Sequence, residues 1–250
     1  VPKNRIRYGG QAAYKEIKMK RAGEMTGRHT KRDMLIALVV LGSIWGFFEV
    51  VVGGGMKAAG IPYRGDLLTG LGIGTMAVAV AMFRKPLMLI GIAALAVAVR
   101  QTAIPILHLS TFCKANSCLA VMLGGTALAG SAAIAGQRLR RGTLPRVLTG
   151  ISAGLLASSS FYFIGMHVAP CRYLLSFNRP GGFVAFMLAE GLIWAALGGV
   201  FFPVGYRVGE QVRDGVTDFR LRRPALYYTA SALVIACCWA GSTLAIARGF

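Results

Sequence analysis

Seven long apolar runs, separated by short polar stretches, dominate the pattern of this chain. They cover about 34–55, 67–83, 87–108, 118–136, 146–168, 182–206 and 225–248. A helix rising 1.5 Å per residue needs about 20 mainly apolar residues to cross a hydrocarbon core. The pattern therefore predicts an all-α, polytopic transmembrane bundle of about seven spans, residues 34–250, behind a polar arm at 1–33. A six-span variant requires one run to be re-entrant, and the short second run is the candidate.

Composition agrees. Of 250 residues, 55% are hydrophobic and only 15% charged, so lipid rather than water is the fitting solvent. The formal charge of +19 would suggest nucleic acid in a soluble protein. No recognition motif for nucleic acid is present, and the basic residues sit where membrane topology puts them. Ten Lys or Arg lie in residues 1–33; Arg84 and Lys85, four between Arg138 and Arg146, and five between Arg207 and Arg223 lie on the same side of a seven-span chain. That makes twenty-one, against six on the opposite side: Lys57, Arg64, Lys114, Arg172, Arg179 and Arg248. The excess predicts a cytoplasmic N-terminus and an outward C-terminus in a cell (inner) membrane. The first run is too long for a signal-peptide core and is expected to be a retained helix.

Small residues recur four apart, in Gly42 with Gly46, Gly70 with Gly74, Gly150 with Gly154, and Gly191 with Ala195 and Gly199. That spacing puts them on one helical face and allows close crossing, within the bundle or against a separate membrane subunit. The first and sixth spans also share a reversed pair: Trp45 precedes Glu49 by four residues, and Glu190 precedes Trp194 by four.

Ionisable residues inside a membrane usually face a partner or a water-filled cavity. Glu49 and Arg100 fall about 20 Å above the predicted inner boundary, and Glu190 about 18 Å above it, in a core about 30 Å thick. One level in the outer half thus holds all three. They are either a buried ion pair with a spare carboxyl, or an outward-facing substrate-binding pocket. In the second reading Trp45 and Trp194 supply walls, and Gln101 and Thr102 supply hydrogen bonds. Two carboxylates and one guanidinium favour a cation, a zwitterion or a coupled proton over an anion.

His108, Cys113, Cys118, His167 and Cys171 gather near the predicted outer boundary. A disulfide, free thiols or a metal site of His and Cys ligands would each use them, although the spacings match no tight metal signature. Cys237 and Cys238 read as buried apolar residues of the last span. No phosphate loop, zinc-protease motif or nucleophile elbow appears, so nothing nominates a catalytic base.

The stretch Gly42-Ser-Ile-Trp-Gly-Phe-Phe-Glu49, followed by Gly53–Gly55, Ile61-Pro62 and a glycine-rich second span, resembles the substrate-binding components of energy-coupling-factor transporters over about residues 36–135. The resemblance implies capture of a solute from outside, and docking of Gly42 and Gly46 on a coupling subunit. Seven spans and a long basic arm depart from that family's usual six helices. The expected function is a solute-binding or transport component without a cofactor, with lipid, protein subunits and a small-molecule or cation ligand as partners. The alternative is the membrane anchor of a redox complex, holding a quinone or a haem, with the arm and the 207–223 loop docking soluble subunits.

Overall fold

The computed structural model describes residues 30–108 and 115–249. The chain falls into two units, Val1–Leu35 and Ile36–Phe250. Within the first, Thr30 and Asp33 bond each other reciprocally: Thr30 N and Oγ1 donate to the Asp33 carboxylate at 2.8 and 2.6 Å, and Asp33 N donates back to Thr30 Oγ1 at 3.3 Å. This is a capping arrangement, and it starts the first helix slightly earlier than hydropathy alone suggests.

Among the described residues, seven helical stretches are long and apolar enough to cross a membrane: Lys31–Ala58, Arg64–Phe83, Met88–Leu107, Ala115–Arg140, Thr143–Val168, Gly182–Arg222 and Pro224–Ala247. The protein is an all-α, multi-pass integral membrane protein. The first span is α1 (Lys31–Phe47), a π-helical turn (Phe48–Val52) and α2 (Gly53–Ala58). α3 (Arg64–Phe83) is the second span; α4 (Met88–Gln101) and α5 (Ala103–Leu107) make the third. α6 (Ala115–Ala135), with a following 3-10 turn, and α7 (Thr143–Val168) are the fourth and fifth. After the short α8 (Arg172–Leu175), the sixth span runs through α9 (Gly182–Phe186), a second π turn (Met187–Gly191) and α10 (Leu192–Arg222); α11 (Pro224–Ala247) is the last.

The second run is a full helix of 20 residues, about 30 Å long, and carries much of the core. The sixth stretch differs from expectation. It does not end at 206 in a loop but continues as helix to Arg222. No proline or positive-φ glycine interrupts 207–222, Asp218 pairs with Arg222 at 2.8 Å one turn apart, and Pro224 opens the next helix.

Glycine sets the helix contacts. α10 runs parallel to α3, with Gly205 against the Gly74 carbonyl and Gly209 against Val78. It runs antiparallel to α7, where Gly150 and Gly198 meet backbone to backbone and Gly154 faces Trp194. A β-carbon at Gly150, Gly154, Gly198, Gly205 or Gly209 would overlap main-chain atoms, so only glycine allows the approach. Gly42 and Gly46 of α1 press on Leu95 and Val99 of α4. Within the bundle the spacing of these two glycines serves the α1–α4 contact. The expectation for Cys237 is corrected: it is exposed on α11, while Cys238 is buried.

At the end of the bundle marked by Arg84, Arg146 joins α7 to α10. It pairs with Glu210 at 3.0 Å, donates to the Leu139 carbonyl at 2.8 Å and lies 4.2 Å over the Tyr206 ring.

Candidate functional site: a charged cavity at the Lys57 end

A cavity of about 950 Å³ lies at the opposite end, in the second unit. Its floor comes from the first, second, third and sixth spans. Glu49 and Glu190 each sit in a π-helical turn. Such a turn inserts one residue into the helical register, re-aiming the side chains on it, and is frequent at functional sites. Both members of the reversed Trp/Glu pattern therefore coincide with the same backbone irregularity.

Two ionic groups form the lining. Arg100 Nη1 donates to Glu49 Oε2 in a pair that is largely out of solvent, the carboxylate side chain being 5% exposed. Trp45 Nε1 donates to the other Glu49 oxygen at 3.3 Å. Trp45 does not line the cavity; it is buried against Gly72, where any β-carbon would overlap the indole, and it braces Glu49 from behind. Gln101 is outside the lining as well, donating to Cys118 Sγ at 3.3 Å, and Thr102 Oγ1 bonds the Val99 carbonyl where the helix breaks.

The second group contains a residue that the sequence reading left out. Asp66, in the first turn of α3, is 6% exposed and accepts from Trp194 Nε1 at 2.6 Å. Asp66 and Glu190 line the same cavity. Tyr173 of α8 donates to Glu190 Oε1 at 2.5 Å. Thus Glu190 is partnered by Tyr173, and Arg100 pairs with Glu49 instead. Burial, followed by the hydrogen bond to Glu190, raises the Tyr173 phenol above its ordinary value and keeps it a donor. Neither the Asp66 nor the Glu190 carboxyl has a cationic partner among the ion pairs of the described residues.

Aromatic rings make one wall: Trp194 and Phe161 have centroids 5.8 Å apart, and Phe186 stands 6.4 Å beyond Phe161. Exposed Lys57, Tyr63 and Arg64 line the mouth. Tyr63 caps α3 in the left-handed region at φ 52°, a conformation uncommon for a residue with a β-carbon.

No group of three or more metal-ligating side chains occurs among the described residues. His108 ends the third span at φ 50° and is exposed; His167 bonds the Phe163 carbonyl at 2.8 Å. Cys118 and Cys171 are thiols that each accept a side-chain amide hydrogen bond, from Gln101 and from Asn116. Cys113 lies outside the described residues, as do the basic arm up to residue 29 and Lys114.

Fold and site together define a multi-pass membrane protein whose helices enclose a charged cavity at one end of the bundle. Compared with protein-family models, curated proteins and solved structures, the chain has no match.

Proposed function

We propose that the protein is a solute-binding or transport component of the cell membrane, and that the cavity is its binding site. The observation that carries this reading is the convergence of ionisable side chains from four spans, Glu49, Asp66, Arg100 and Glu190, on one 950 Å³ space. Ion pairs that serve packing alone need no such space around them, and the volume suits a small-molecule ligand. The basic-residue count supports an outward-facing mouth. The resemblance of residues 36–135 to solute-capturing membrane components points the same way.

One experiment reads both orientation and site. A cysteine replacing Tyr63 at the mouth, in a background without native thiols, is expected to react with a membrane-impermeant maleimide on intact cells. A bound solute from a panel of cations, zwitterions and anions is expected to slow that reaction, and Glu49→Gln, Arg100→Gln and Glu190→Gln are expected to abolish the slowing. Labelling only after the membrane is opened would overturn the orientation. A rate independent of every solute, or equal protection in all three variants, would overturn the site.

A further inference from the structure

The chemistry of the cavity narrows the ligand class, resting on the reading of the cavity as a binding site. The Glu49–Arg100 pair is internally neutralised and further held by Trp45. The Asp66–Glu190 pair is not: each carboxyl has a neutral donor, Trp194 for one and Tyr173 for the other, and no described cation forms an ion pair with either. At the mouth, Lys57 and Arg64 line the same space, are exposed, and form no ion pair among the described residues. Buried Asp66 and half-buried Glu190 thus lack a cation, while exposed Lys57 and Arg64 lack an acid. The Trp194 and Phe161 rings stand beside the acid, and aromatic faces attract cations.

We propose that the cavity binds a zwitterion, ammonium end inward on Asp66 and Glu190, anionic end outward on Lys57 and Arg64, and that the ammonium displaces a proton which these two cation-free carboxyls share in the empty cavity. The exchange balances: the ammonium enters with one positive charge, the carboxyl O–H bond breaks, and one proton leaves to solvent. No covalent bond to the ligand forms. Other titratable or charged groups face the pair: Tyr173 of α8, Tyr63 and Arg64 at the head of α3, Lys57 and Glu49 of the first span, and Arg100 of α4. Of these, only Tyr173 bonds a member of the pair directly, and its raised phenol stays protonated well into the alkaline range. Free zwitterionic solutes and zwitterionic lipid headgroups share this chemistry.

Isothermal calorimetry on the full chain tests the assignment with phosphoethanolamine (both charges), ethanolamine (ammonium alone) and inorganic phosphate (anion alone), each in buffers of different ionisation enthalpy. Phosphoethanolamine is expected to bind tightest and to release close to one proton per ligand. Glu190→Gln is expected to abolish both phosphoethanolamine binding and that release at an unchanged melting temperature, and release retained in this variant would overturn the assignment. The double variant Lys57→Gln/Arg64→Gln changes only exposed side chains; it is expected to weaken phosphoethanolamine about tenfold and leave ethanolamine unchanged. Nanodiscs of phosphatidylethanolamine that displace the probe, where phosphatidylglycerol does not, identify a lipid source; displacement by neither identifies a free solute. Phosphate binding tightest, or ammonium binding without proton release in the unmodified chain, would overturn the ligand class while leaving the cavity a binding site. No heat from any probe, with unaltered mouth labelling, would overturn both.

Discussion

Glu49 shows how far a single residue can be read from sequence. Counting residues along helices brings Glu49 and Arg100 to one depth, and in the structure they pair. The pair is costly to break from one side, because the remaining charge is stranded in a low-dielectric interior; such losses run to about 3–5 kcal/mol. Arg100→Gln is therefore expected to lower the melting temperature in detergent sharply, and adding Glu49→Gln to recover much of the loss. Additive losses in that double-mutant cycle would show that the two side chains are not coupled. Asp66 was not legible in the same way. It follows Arg64 and Gly65 at the polar head of the second run, where hydropathy reads a loop, and only the close approach of α3 and α10 carries it to Trp194. Tyr173 was hidden for a like reason, since a polar connection between apolar runs gives no hint of which carboxylate it will meet.

At the scale of elements, hydropathy located the spans well and their ends poorly. A run of apolar residues measures what lipid will accept, and says nothing of a helix that continues into water. The sixth stretch, 41 residues and about 60 Å long, keeps its hydrogen-bonded ladder past the last apolar position through alternating charges. Glycine spacing marked the contact faces, but the partners depend on a three-dimensional arrangement that no local pattern encodes. Two glycines of α10 separate packing from propensity. Gly205 lies against the Gly74 backbone, whereas Gly215 has open space around its α-carbon. Gly205→Val is expected to lower yield and melting temperature through overpacking, worth about 1–3 kcal/mol or more. Gly215→Ala is expected to be neutral or stabilising by up to about 1 kcal/mol, as alanine favours the helix. Equal effects in thermal melts would contradict the α3–α10 contact.

The whole molecule sets its two ends to different work. At the Arg84 end, Arg146 ties α7 to α10 through Glu210 and Tyr206, and packing is tight. At the Lys57 end, two π turns hold carboxylates around open volume, but the reversed Trp and Glu serve differently: Trp45 braces Glu49 from outside the cavity, and Trp194 lines it and bonds Asp66. A binding site of this volume should carry a ligand out of the membrane with it. Native mass spectrometry of protein gently extracted from its membrane reads this, comparing the unmodified chain with Ala120→Trp, which places an indole in the cavity from its half-buried α6 wall. One small molecule or lipid is expected per unmodified chain, and none on the variant at equal folded yield. A bare unmodified chain, or the same bound mass in both, would contradict a binding site there.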